Sequence, residues 1–294
     1  MHTTPQATRR NYSTKVRYLL EAVKIEQSLF ALPFAYIGMI LAAKGIPPWE
    51  PLFWVTVAMV GARNAGMAFN RVFDRHMDSL NPRTAGRHLP RGLLRTWELS
   101  GIGFIGLGLL FVAAAQLNPL ALFLSPVAAF AVVGYSLVKR FSWLTNFALG
   151  LTLAVAPAGG WIGVTGSLSW EVVLLVFIVG SFATGFDIFN TAPDVEFDHT
   201  YGIHSLPARF GLSAAFRIAQ VLHLGTSVGL LALGLISQLH WSYYIGWVIV
   251  TGLLIYEHWL ISPTDLSKLA FVFSKINALI SVSVLVFTLV AVLS

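Results

Sequence analysis

The chain has 294 residues, 56% of them hydrophobic and 11% charged, against about 25% charged residues in an ordinary soluble domain. With a mean hydropathy of +0.73, this composition excludes a soluble enzyme and leaves no room for a separate soluble domain, so residues 1–294 are expected to form one integral membrane domain. The net charge of +6 reads as loop charge on the cytoplasmic side, not as a nucleic-acid surface, and the absence of cysteine excludes disulfides, thiolate zinc sites and cysteine nucleophiles.

Residues 1–24 are basic and rich in Ser and Thr, without the apolar core and small-residue cleavage site of a secretory signal. Arg9, Arg10, Lys15 and Arg17 are read as the cytoplasmic flank of a first span. Apolar runs follow at about 28–43, 52–69, 97–117, 120–138, 143–163, 170–190, 213–236, 241–261 and 270–293. Each is near spanning length, and each is continuous rather than alternating, which specifies helices that satisfy their own backbone groups in lipid. The expected architecture is therefore all-α, a polytopic bundle of nine transmembrane helices. With the amino terminus inside, every Lys and Arg except Lys44 and Arg63 falls in an inner segment, as the positive-inside rule requires. Two inner connections, Asn70 to Thr96 and Asp187 to Gly211, are long and polar, so function is expected on that face. The glycines of the third run, Gly101, Gly103, Gly106 and Gly108, read as close helix packing.

The acids are concentrated at the inner ends of the second and sixth runs. Asn70, Asp74 and Asp78 stand at i, i+4 and i+8, and Asp194 and Asp198 are again four apart. On a helix this spacing stacks oxygen ligands on one face. Like charges at i, i+4 weaken a helix, so a divalent cation is expected to offset them. Carboxylate and amide oxygens suit Mg²⁺, which favours one or two carboxylates together with waters and substrate phosphate oxygens. Either pair alone is better read as solvated ion pairs with neighbours such as Arg71 and Arg75. The two together favour a functional site. The histidines are scattered, and His199 and His204 do not make a spaced metal set, so no zinc is expected.

These motifs resemble those of the UbiA superfamily of intramembrane prenyltransferases. The N-x-x-x-D-x-x-x-D of Asn70 to Asp78 and the D-x-x-x-D of Asp194 to Asp198 are similar to its paired aspartate motifs. Arg83-Thr84-Ala85-Gly86-Arg87-His88-Leu89-Pro90-Arg91-Gly92 resembles its R-T-x-x-R-P-L-P-x-G loop, Gly202-Ile203-His204-Ser205 its G-I-K-S segment, and Tyr135 to Arg140 its Y-x-x-x-K-R. The chain departs from the pattern at His88, at His204 and at Asn190, where the family often has Pro, Lys and Tyr. The segment His204 to Gly211 looks more like the branch that prenylates dihydroxynaphthoates for menaquinone than the 4-hydroxybenzoate branch.

The resemblance implies Mg²⁺-dependent transfer of a polyprenyl group from an isoprenyl diphosphate to an aromatic carboxylate acceptor, 4-hydroxybenzoate or a dihydroxynaphthoate, in quinone biosynthesis. The site would lie on the cytoplasmic side of the cell's inner (plasma) membrane. Asn70, Asp74, Asp78, Asp194 and Asp198 would hold the metal, and Arg83, Lys139 and Arg140 would contact the diphosphate. For Arg87, Arg91 and Arg95 the positive-inside bias is an equally good explanation. Tyr135 or Phe69 would face the allylic cation with its ring. Asp187, matching the family's upstream aspartate, would polarise or deprotonate the acceptor, since a poorly solvated carboxylate at the end of an apolar span is an avid base. Two alternatives stay open: a transporter, whose acids should lie near mid-membrane in inverted repeats, and a UbiA-type enzyme acting on a lipid glycerol phosphate, haem or chlorophyllide.

Overall fold

The computed structural model describes residues 12–24 and 28–294. Arg9 and Arg10 lie outside the described residues. The regular elements are helices: α1 (Tyr12–Ala22), α2 (Ser28–Ala43), α3 (Trp49–Phe73), α4 (Arg75–Leu80), α5 (Thr96–Leu117), α6 (Pro119–Val138), α7 (Thr145–Thr165), α8 (Trp170–Thr191), α9 (Val195–Tyr201), α10 (Leu206–Phe210), α11 (Leu212–Ile236), α12 (Ser242–Leu260) and α13 (Leu269–Leu293). The β structure among the described residues is an isolated bridge between Ser262 and Asp265.

Among the described residues, seven helices are long and apolar enough to cross a membrane: α3, α5, α6, α7, α8 continued through α9, α11 and α13. Helices also occupy the other two expected runs. α2 has 16 residues, and α12 has 19, with Glu257 and His258 in its last turn. The two long inner connections are more ordered than their polarity suggests. Asn70 to Phe73 extend α3, Asp187 to Thr191 extend α8, and α4, α9 and α10 lie within the remainder. Backbone hydrogen bonding, which polarity does not interrupt, carries the helices past the apolar boundary.

Lipid is as apolar as Leu, so these helices associate by close packing rather than by withdrawal from water. Small residues set the approach. A Cβ placed on Gly61 of α3 would sit 2.6 Å from the Gly106 carbonyl oxygen of α5, and Gly103 makes room for the Phe69 ring. A Cβ added at Gly101 or Gly108 would meet nothing within 4 Å outside its own helix, so only half of that glycine set packs against α3. Gly61→Val should therefore force α3 and α5 apart at an overpacking cost of about 1–3 kcal/mol. A detergent melt checks this, and an unchanged midpoint would count against the close contact. Large side chains such as Phe123, Phe130 and Trp259 project outward, where lipid would cover them. The main core joins α2, α7, α8, α11, α12 and α13 through residues such as Ala35, Met39, Ala154, Phe189 and Leu233.

A second cluster fastens the polar-loop end. Leu89 and Leu94 from the 81–95 connection are buried with Ala22, Val23, Met67, Ala68 and Leu99. Lys15 of α1 pairs with Glu98, while His88 lies 3.1 Å from Glu21, whose carboxyl is held below its ordinary range chiefly by the hydrogen bond from Arg17. The connection carrying Arg83 and Arg87 is thus clamped over the bundle by both packing and charge.

Candidate active site

At its end, α3 bends at Asp74, whose backbone (φ −84°, ψ 0°) closes α3 and opens α4. The hydrogen-bond ladder nonetheless continues: Asp74 N–H donates to the Asn70 carbonyl at 2.9 Å and Asp78 N–H to the Asp74 carbonyl at 2.7 Å. The expected column of Asn70, Asp74 and Asp78 survives the bend because its i, i+4 bonds do. On the facing side, α8 passes through a 3₁₀ turn, Ala192–Asp194, into α9, and Pro193, lacking an N–H, suits that tightening. Gly202 ends α9 at φ +67°, a left-handed conformation that favours glycine.

Both columns line one cavity of about 470 Å³. Asn70, Asp74, Asp78, Asp187, Asp194 and Asp198 all reach it, as do Arg83, Lys139 and Tyr135. Asp78 and Asp194 therefore open into the same compartment. The polar end of the cavity is balanced by charge. Lys139 Nζ lies 2.5 Å from Asp74 Oδ2, Arg87 Nη1 donates to both Asp78 oxygens at 2.7 Å, and Arg83 forks onto Asp194, with Nε 2.9 Å from Oδ1 and Nη2 against Oδ2. Asn81 adds a 3.0 Å bond to Asp194, and Ser205, which caps α10, donates to Asp198 Oδ2 at 2.6 Å. The rest of the lining is mostly apolar, with Phe34, Met59, Leu153, Phe182, Phe186 and Phe273, and it includes the cation Arg63 one turn from Met59 on α3.

Asp187 is held by a residue that the sequence reading did not single out. Asn146, fully buried on α7, donates its amide to Asp187 Oδ2 at 2.8 Å and accepts the Leu206 N–H at 3.0 Å. One side chain thus joins α7, α8 and α10. A lone amide in an otherwise apolar run was the signal available for it. Arg87, for which topology charge was an equally good explanation, is a direct partner of Asp78. Arg140 is not brought into the cavity. Its Nη2 donates to the Phe73 carbonyl at 2.6 Å, closing the end of α3. Phe69 also faces elsewhere, packed on Phe73 and Phe104.

The donor set fits a hard divalent cation. It consists of carboxylate and amide oxygens, and Asp74 Oδ1 is a buried oxygen without a hydrogen-bond partner on a residue 2% exposed. Leaving such an atom unmatched costs about 1–3 kcal/mol, which a cation at that oxygen would offset. A cavity that joins a group of paired charges to a mostly apolar lining suits a long apolar molecule with a multiply charged anionic head.

The chain matches the UbiA prenyltransferase family over residues 31–281. It belongs to that family, and it is a prenyltransferase and a multi-pass membrane protein. It is similar to 4-hydroxybenzoate octaprenyltransferase of Vibrio campbellii, with 32% identity over 76% of this chain and 78% of the relative. It is also similar to the mitochondrial 4-hydroxybenzoate polyprenyltransferase of Arabidopsis thaliana, with 33% identity over 70% of this chain and 50% of that one. Among solved structures, a UbiA homologue from Aeropyrum pernix superposes with a TM-score of 0.79 at 27% identity, covering 92% of this chain and 98% of that one. A homologue from Archaeoglobus fulgidus, bound to GPP and Mg²⁺, shares the fold with a TM-score of 0.73 at 16% identity, over 94% of this chain and the whole of the other.

Proposed function

We propose that this protein transfers a polyprenyl group from an isoprenyl diphosphate to the ring of a hydroxylated aromatic carboxylate, with 4-hydroxybenzoate as the first candidate acceptor. The observation that carries the reading is the single cavity in which two acidic columns and their cations face an apolar chamber. The relatives named 4-hydroxybenzoate octaprenyltransferase support the acceptor. Mg²⁺, held by Asp74, Asp78, Asp194 and Asp198 with Asn70 assisting, would supply charge neutralisation on the departing diphosphate, a contribution worth several kcal/mol. Arg83 and Lys139 bind the diphosphate oxygens, exchanging their present carboxylate partners for the anion, Arg by its fork and Lys as a point charge. Arg140 positions the end of α3. The apolar chamber takes the tail and excludes water from the allylic cation, while Tyr135 presents its ring at the cavity wall. Asp187, oriented by Asn146, takes up a proton from the acceptor.

The cation partition of the sequence supports a nine-span topology with the amino terminus and this cavity on the cytoplasmic side of the inner membrane. Purified protein incubated in detergent with Mg²⁺, an allylic diphosphate and 4-hydroxybenzoate should yield a product heavier by one prenyl group. Prenylation of a dihydroxynaphthoate instead would favour the second reading, which rests on the segment His204 to Gly211. Failure with both rings would overturn the quinone-precursor assignment.

A further inference from the structure

A separate cluster lies behind α8. His223 of α11 and Glu257 and His258 of α12 bring one ligand atom each to within 4.8 Å of one another. None of the three lines the cavity described above. His223 Nδ1 is 2.7 Å from Glu257 Oε1 and 3.0 Å from His258 Nε2. Glu257 is fully buried and His223 is 2% exposed, yet Glu257 Oε2 has no hydrogen-bond partner and Oε1 meets only the His223 ring nitrogen. A buried carboxylate with one imidazole nitrogen against it, where Phe182 and Phe189 pack on the two imidazoles, is costly unless a positive centre meets it.

The remaining atoms favour a metal over a shared proton. A single proton on Nδ1 could serve only one of its two neighbours, whereas a cation would accept lone pairs from all three groups at once. The other ring nitrogen, His223 Nε2, faces the Phe182 carbonyl at 3.4 Å. In the neutral ring, an N–H donated there leaves Nδ1 free to ligate, as outer partners of metal-bound histidines do. Gly185 makes room for this ring, since a Cβ at that residue would collide with Nε2. We propose that His223, Glu257 and His258 form a second metal site for a borderline transition ion, Zn²⁺ in first place, because two imidazoles and a carboxylate suit zinc and not magnesium. The ion would pin α11 to α12 against the face of α8, two to five residues from Asp187. Scattered histidines concealed it in the sequence, for His223 and His258 are 35 residues apart.

The test is metal content. Full-length protein in detergent, stripped with a chelator and offered Zn²⁺ alone, should retain about one zinc per chain after desalting. The zinc should persist in an Asp74→Asn, Asp194→Asn variant and be lost in Glu257→Gln and in His258→Gln. Co²⁺ loaded into the unaltered protein provides a readout independent of how those variants fold, expected to show the intense visible bands of a low-coordinate site with nitrogen ligands. Absence of both zinc and those bands in the unaltered protein would overturn the proposal, as would zinc retained in both Glu257→Gln and His258→Gln or lost only with the aspartates.

Discussion

Asp74→Asn is expected to lower the rate of prenyl transfer by about 10²–10³-fold and to raise the Mg²⁺ concentration needed for half-maximal activity. The magnitude follows from the several kcal/mol that a metal contributes as a Lewis acid, at about 1.4 kcal/mol per tenfold in rate. Asp74 is the sharpest probe because its two oxygens differ. Oδ2 is occupied by Lys139 and Asn70, whereas Oδ1 is buried and unmatched. An asparagine preserves shape and can still accept from Lys139, so the fold should persist and the loss should fall on catalysis. Mg²⁺ titrations of steady-state rate, together with a thermal melt, separate the two. A variant with both the original rate and the original Mg²⁺ dependence would remove Asp74 from the metal site.

Asp187→Asn should abolish most turnover, by at least about 10²-fold as expected for loss of a general base, while the diphosphate still binds with an affinity within a few fold of the original. The separation arises because Asp187 is tied to Asn146, whereas Arg83, Arg87 and Lys139 pair with Asp194, Asp78 and Asp74. Isothermal titration with a non-reactive diphosphate analogue and product formation by mass spectrometry give the two quantities. Retained turnover would exclude Asp187 from the chemistry. If binding were lost along with turnover, Asp187 would belong to the diphosphate site instead.

The helical bundle and the two acidic columns are legible in the chain because they depend on local periodicity. Apolar runs of spanning length determine helices wherever water is excluded, and residues four apart share a face wherever the backbone stays helical. That is why Asn70, Asp74 and Asp78 remain aligned even across the bend at Asp74. The roles of individual cations are less legible. Arg87 and Arg140 both lie in basic segments near the motifs, yet one clamps Asp78 and the other closes a helix end. Spacing along the chain carries no information about which carboxylate a long flexible side chain will reach.

The chain by itself therefore determines the membrane setting, the helix locations and the presence of two metal-suited ligand columns, since each is written in patterns shorter than a single helix. Tertiary structure decides which groups meet. It places both columns in one cavity, brings Asn146 beneath Asp187 from 41 residues away and collects His223, Glu257 and His258 behind the same helix. These are contacts between helices, set by which small residues allow two backbones to approach, and no periodicity within one segment encodes them.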